Sequence, residues 1–339
     1  MPEALQPALS PIPRDGADWG RHGTWHWLGH SCHWRVLGKA ADPPLVLLHG
    51  FGAASGHWRR NAATLAAAGW CVYGLDLLGF GASGQPGPQR HQRLDNRLWA
   101  RQLQAFLEQV VQAPAVLVGH SLGGLVAVSC GVFFPDWVRA VVAAPLPDPA
   151  LLSAALMPMA PRQPPWRRRL RRWLVILLCR LLPLELVVPL LVHSPLLALG
   201  LQSAYHGPVL GDAELLRIIA TPARRPTAPR ALRAMSIAMA LRPHGATAPA
   251  LLRRLQRPLL LIWGRRDRLV PPAVAARCRI VRPDLPLRVL EHSGHCPHDE
   301  DPPGFHAALL PWLAQLNPTD PPAAAYLWGT SPLAPPAGP

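Results

Sequence analysis

The stretch Val116-Leu117-Val118-Gly119-His120-Ser121-Leu122-Gly123-Gly124 decides how the rest of the chain is read. Its valine-rich apolar start specifies a buried strand, and the apolar-periodic run from Leu125 to Phe134 specifies a helix. Between them stands Gly-x-Ser-x-Gly. Strand, sharp turn and helix together form the setting in which a serine hydroxyl is held clear of a sheet. Gly119 and Gly123 fit that turn because a side chain at either position would collide with the neighbouring strand or helix. The Leu122 N–H, at the helix start, is then aimed where negative charge would develop on a reacting carbonyl oxygen.

A serine so placed still needs a base and an acid, and in this kind of turn they follow in the order acid, then histidine. Pro258 to Gly264 reads as a second buried strand, followed by Arg265-Arg266-Asp267. Leu287 to Leu290 reads as a third, followed by Glu291-His292-Ser293-Gly294-His295. Asp267 and His295 therefore each stand just past the C-terminal end of a strand, where open parallel sheets place their ligands. Ser121 as nucleophile, His295 as base and Asp267 as the acid that orients it form the expected catalytic set.

Upstream, Leu45 to Leu48 reads as a strand running into His49-Gly50-Phe51-Gly52, whose Phe51 N–H is the expected second donor to the oxyanion. His49 is expected to hold this loop by a hydrogen bond. Further strands are expected at Cys71–Leu75 and Val138–Ala143, with helices at Trp58–Ala68 and Arg93–Val111. Asp76 and Ser83 read as polar supports for the loop after Leu75. Thr24–Leu28 and His33–Leu37 read as an antiparallel pair rich in Trp and His. No carboxylate accompanies that cluster and its spacing matches no common ligand set, so it reads as a sheet edge. Strands alternating with helices specify an α/β fold with a mostly parallel sheet covered on both faces.

From about Pro145 to Pro249 the alternation stops, and Pro-broken helical stretches replace it. The expected organisation is a Pro-rich leader (1–22), a core in two parts (23–145 and 251–317), a helical cap (146–250) and a Pro/Ala-rich tail (318–339). A cap inserted between the serine and aspartate strands lies over the C-terminal ends of the strands, and its lining selects substrate. Arg167-Arg168-Arg169-Leu170-Arg171-Arg172 opens the most apolar stretch, Trp173 to Val192. Arg180, Pro183, Glu185 and Pro189 interrupt it, which excludes a membrane span. Two readings remain for it: an Arg-flanked face lying on an anionic bilayer, or a solvated helix end above an apolar pocket wall.

Composition narrows the classes. The chain has 339 residues, half of them hydrophobic, with a formal charge of +15 carried almost wholly by Arg, since Lys39 is the single lysine. The arginines are spread along the chain and no nucleic-acid module is visible, so no nucleic-acid partner is expected. Nothing in the sequence specifies an oligomeric state. The six cysteines (Cys32, Cys71, Cys130, Cys179, Cys278 and Cys296) are scattered, and the N-terminus lacks a basic and then an apolar run. Free buried thiols, no signal peptide and a reducing, cytoplasmic location are the expectation. His292, Cys296 and His298 surround the expected base, but without a second Cys/His group at a familiar distance they specify no zinc site. No metal and no cofactor are expected.

These motifs resemble the α/β-hydrolase superfamily over about residues 24–316. Four segments look more narrowly like the pheophytinase and chlorophyll-dephytylase group of plants and cyanobacteria. They are Ser293 to Glu300 (Gly-His-Cys-Pro-His-Asp-Glu within it), Leu98 to Leu103, Leu75 to Gly81, and Ala234 to Ile237. The resemblance implies an esterase that removes the phytyl alcohol from chlorophyll-type pigments at a thylakoid membrane. It implies Ser121, Asp267 and His295 as triad, and the Phe51 and Leu122 amides as oxyanion hole. Two positions depart from that group, His120 before the nucleophile where Asn is frequent and His49 where the plant form has Pro. An apolar cap suits a long isoprenoid alcohol and a fatty acyl chain alike. A general esterase, a lipase or a cofactor-free haloperoxidase-like enzyme is the alternative on the same residues, and a non-catalytic binding protein is a second.

Overall fold

The computed structural model describes residues 16–89, 92–152 and 165–316. The expected tail and residues 1–15 of the expected leader lie outside the described residues.

The chain begins with a hairpin of β1 (Arg21–Trp27) and β2 (His30–Leu37). Leu28 and Gly29 both have positive φ, 48° and 76°, which is the two-residue turn that suits the strand twist. Then follow β3 (Pro44–Leu48), α1 (Ala62–Ala67), β4 (Cys71–Leu75), α2 (Asn96–Phe106), β5 (Ala115–Gly119), α3 (Leu122–Phe133) and β6 (Val138–Ala143). A run of helices comes next: α4 (Pro149–Leu152), α5 (Pro165–Leu181), α6 (Leu184–Val192), α7 (Leu196–Gln202), α8 (Ala213–Ala223), α9 (Ala228–Ala240) and α10 (Ala248–Arg254). The chain closes with β7 (Leu259–Gly264), α11 (Pro272–Val281), β8 (Leu287–Leu290), α12 (Pro297–Glu300) and α13 (Pro302–Ala314).

The eight strands form one sheet in the order β1-β2-β4-β3-β5-β6-β7-β8. The hairpin joins β4 antiparallel, and every pair from β4 to β8 is parallel. Successive strand residues point to opposite faces, and both faces are buried. Leu45, Leu47, Val116, Val118, Val142, Leu260 and Ile262 enter one core, closed by Trp19, Trp58, Leu65 and the Phe305, Leu309 and Leu313 face of α13. Val46, Leu48, Leu117, Val141, Leu261 and Trp263 enter the other, under Leu98, Trp99 and Leu103 of α2, with α3 and α10 beside them. Each such fully buried Leu or Val contributes about 1.5–3 kcal/mol, so removing one from β5 opens a cavity directly beneath the Gly-x-Ser-x-Gly turn.

The structure corrects four expectations. The leader does not extend to residue 22: Trp19 is fully buried, its indole N–H donates to the Ser55 carbonyl at 3.1 Å, and β1 begins at Arg21. A Trp in this position buries a large apolar body, and its one polar atom finds an acceptor. The single helix expected over 58–68 is instead a 3-10 turn at Ser55–Trp58 followed by the short α1. The intervening side chains explain the break, because Arg59 and Asn61 both reach buried partners more than two hundred residues away. The boundary placed at residue 250 falls inside α10, whose Leu251 and Leu252 pack in the core with α3. Lastly, α2 starts at Asn96 because the Asp95 carboxylate accepts the Arg97 N–H at 2.9 Å.

Candidate active site

Ser121 has φ 51° and ψ −116°, a region that L-residues rarely occupy. The strain holds because the turn is clamped on both sides. A Cβ on Gly119 would lie 2.3 Å from the Gly123 backbone, and one on Gly123 would lie 2.3 Å from the Leu48 carbonyl oxygen. Only glycine permits so tight a passage from β5 into α3. Ser121 is the residue before α3, so Leu122, its first helical residue, has an N–H with no acceptor four residues back.

The structure brings Ser121, His295 and Asp267 together from three strand ends. The Ser121 hydroxyl donates to His295 Nε2 at 3.0 Å, and His295 Nδ1–H donates to an Asp267 oxygen at 2.9 Å. The other Asp267 oxygen accepts the Leu269 and Val270 N–H groups at 2.9 and 2.8 Å. All three residues are buried. The loop after β3 runs beside them, where a Cβ on Gly50 would come within 3.3 Å of the Ser121 Cβ. Phe51 next to it is exposed, with its ring against Phe80 at 5.7 Å. His49 holds that loop as expected, donating from Nδ1 to the Gly50 carbonyl at 2.8 Å and accepting the Leu77 N–H on Nε2 at 3.1 Å.

Asp76 and Ser83 also stand where a supporting role requires. Asp76 accepts the Ser55 and Ala82 N–H groups and the His33 ring N–H, and Ser83 donates to the Asp76 carbonyl at 2.7 Å. Burial alone would push the Asp76 carboxyl up, but the His33 hydrogen bond and charge, the His49 ring and the Ser55 N–H hold it well below the usual carboxylate range. A cavity of about 440 Å³ opens beside this group, lined by His22, His33, Arg35, Arg217 and Arg225, and includes none of the three reacting residues.

The loop carrying His295 is fixed by a network that the one-dimensional pattern did not reveal. The Glu300 carboxylate accepts the Gly294, Cys296 and His206 N–H groups, and the His295 N–H donates to the Ala204 carbonyl at 2.7 Å. Arg59, almost wholly buried, donates to Asp299 at 3.0 Å, to Asp212 at 2.8 Å and to Glu214 at 2.9 Å. One guanidinium thereby ties the α1 loop, the cap and the His295 loop together. Asp212 is pulled down to about 2, first by the Arg59 hydrogen bond. The acid–base residues that lie far apart in sequence gave no periodic signal.

Three further histidines lie directly under the triad. One ring nitrogen of each of His57, His120 and His298 lies within 4.8 Å of one on each of the others. His120 Nε2–H donates to the His295 carbonyl at 3.0 Å, and His57 Nε2 pairs with the Tyr205 hydroxyl at 2.8 Å, which in turn donates to Asp299. His57 Nδ1, His120 Nδ1 and both ring nitrogens of His298 have no hydrogen-bond partner. Burial, first of all causes, lowers the proton affinity of all three rings, His57 to about 4. Three neutral imidazoles are by donor type a set that suits a zinc-like ion, and no step of ester chemistry needs to pass through them. The run beside the base, which specifies no zinc site in sequence, does not gather in the structure either: His292 is exposed, and His298 turns to His57 and His120 instead of Cys296. All six cysteines are free.

Residues 43–302 match the family model for the alpha/beta hydrolase fold. A human (lyso)-N-acylphosphatidylethanolamine lipase is 34% identical over 99 residues, which is 29% of this chain and 29% of the lipase. The chain thus spans less than a third of that relative's length. A Vibrio parahaemolyticus pimeloyl-[acyl-carrier protein] methyl ester esterase is 28% identical over 274 residues, 80% of this chain and 94% of the esterase. Among solved structures, an alpha/beta hydrolase fold protein from Burkholderia ambifaria superposes with a TM-score of 0.64 at 22% identity, covering 85% of this chain and 97% of that one.

Proposed function

This chain belongs to the alpha/beta hydrolase fold family, and from that premise we propose that it hydrolyses carboxylic esters through Ser121, His295 and Asp267. The observation that carries the reading is the strained Ser121, its hydroxyl 3.0 Å from an imidazole that a buried carboxylate holds from the other side. A serine hydroxyl is a weak nucleophile at neutral pH. His295 Nε2 takes its proton as Oγ attacks the ester carbonyl carbon, and Asp267 stabilises the imidazolium that results. We assign the Phe51 and Leu122 N–H groups as donors to the oxygen that becomes negative, where one such donor is typically worth about 3–4 kcal/mol. His295 then returns the proton to the departing alcohol, and water repeats the sequence on the acyl-enzyme.

The substrate class we assign is an ester with a large apolar part, with the phytyl ester of chlorophyll-type pigments as its most specific form. The Gly-His-Cys-Pro-His-Asp-Glu run from Gly294 to Glu300 supports that narrower assignment. A general esterase or lipase is the second reading, favoured by the printed activities of the lipase and esterase relatives. Incubation with pheophytin and chlorophyll beside a chain-length series of p-nitrophenyl esters separates the two. Phytol release that Ser121→Ala abolishes supports the first, and cleavage of acyl esters alone supports the second. In either case Ser121→Ala lowers turnover by about three orders of magnitude or more; near-normal activity in that variant rejects both.

A further inference from the structure

The apolar stretch that opens with the Arg run turns many of its large side chains outward. Among the described residues, 20 large apolar side chains are exposed, and 14 of them fall between Trp166 and Leu199, on α5, α6, α7 and, for Leu182, the break between the first two. Trp166, Leu170, Trp173 and Leu177 recur at helical spacing, so they share one side of α5. Leu181 and Leu186, 70% and 71% exposed, carry the same surface across the break into α6. An apolar surface this continuous is not left in water without a partner.

We propose that the outer face of α5, α6 and α7 docks on an anionic lipid bilayer, lying in its interface. Charge selects this partner. Between Asp148 and Asp212 the sequence holds one acidic residue, Glu185, against seven arginines. Arg167, Arg169 and Arg172 are exposed beside the two tryptophans, the combination by which amphipathic helices sit at the headgroup level of negatively charged membranes. A second copy of this chain would bring one Arg-rich face against another. Geometry selects the orientation. No single helix among the described residues is long and apolar enough to cross a membrane, and α5 meets α6 at a bend of 52°. The inner sides of both helices pack on α9. There Arg233 pins the bend, donating to the Cys179 and Leu182 carbonyls at 3.0 and 2.8 Å and pairing with Glu185. A pair held from behind in this way lies on a bilayer rather than inserting through it.

The test is co-sedimentation of the full chain with vesicles of phosphatidylcholine alone and of phosphatidylcholine mixed with phosphatidylglycerol. The wild type sediments with the mixed vesicles, and added salt weakens the association. Each arginine near a charged surface contributes about 1 kcal/mol, or about fivefold in partitioning, so Arg167→Gln/Arg169→Gln/Arg172→Gln weakens it by about a hundredfold. Trp173→Ala/Leu178→Ser/Leu181→Ser loses binding to the mixed vesicles while keeping turnover of a soluble p-nitrophenyl ester, which shows that it is folded. The proposal is overturned if the wild type ignores both vesicles, or if the apolar variant binds as the wild type does. A lipid-free dimer that the apolar variant dissolves, without vesicle binding, gives the face to a second copy and also overturns it. Binding is read without turnover and is unchanged in Ser121→Ala, so this surface and the proposed ester chemistry stand or fall separately.

Discussion

Replacing Asp267 by Asn tests the relay through one proton. At present one carboxylate oxygen accepts His295 Nδ1–H and the other accepts two backbone N–H groups, from Leu269 and Val270. An amide has one acceptor oxygen and one NH2 group, so it cannot serve both sides. If the NH2 faced Leu269 and Val270, donor would meet donors, and two buried hydrogen bonds would be lost at about 1–3 kcal/mol each. The amide therefore keeps its oxygen on the backbone and turns its NH2 to His295. Nδ1 must then accept, the ring proton moves to Nε2, and Nε2 can no longer take the proton of Ser121. The expected loss is about ten-thousandfold in kcat, close to 5.5 kcal/mol of transition-state stabilisation. KM and the urea midpoint stay near wild type, because shape and packing are kept. Steady-state cleavage of a p-nitrophenyl ester, with wild type as reference, reads this directly. An Asn variant within about tenfold of wild type would falsify the assignment of Asp267, and with it the tautomer argument.

Three other outcomes follow from the same geometry. Arg59→Ala takes from the buried Asp299 the nearer of its two guanidinium partners and should cost about 3–5 kcal/mol, read as a Tm lower by about 10 °C; an unchanged Tm removes Arg59 as the tie between cap and core. Gly264→Ala puts a Cβ 1.9 Å from the Gly294 carbonyl oxygen, so stability falls by about 3 kcal/mol or more and ester cleavage is lost as the His295 loop shifts; a soluble, fully active variant contradicts the close approach. Stability also falls with acid. Burial holds His57 neutral in the fold down to about 4, against 6.5 when exposed, so the unfolded chain binds the extra proton first and the native state loses a few kcal/mol as pH drops through that window. Asp212, depressed from 3.8 to about 2 by Arg59, adds a second loss below it. Urea titrations across this range should show the slope, and His57→Gln should flatten its upper part; an unaltered slope in that variant assigns the acid sensitivity elsewhere.

Local rules of the backbone made much of this molecule readable in one dimension. Strands buried on both faces announce themselves as runs such as Leu45 to Leu48 and Val116 to Val118. Gly119 and Gly123 announce a passage too tight for a Cβ, and position after a strand placed Ser121, Asp267 and His295 at one rim of a parallel sheet. Each of those signals is short-range, so it survives without coordinates. Tertiary structure alone decided the rest. Trp19 is core and not leader because a surface far along the chain closes over it. Arg59, Asp299 and Asp212 act together only because folding brings together residues about 150 and 240 positions apart. The same holds for the three imidazoles under the triad, which share no spacing. The Arg-flanked apolar stretch was open to two readings because a helix sequence records which side chains are apolar, and only packing on α9 decides which of its sides is left facing outward.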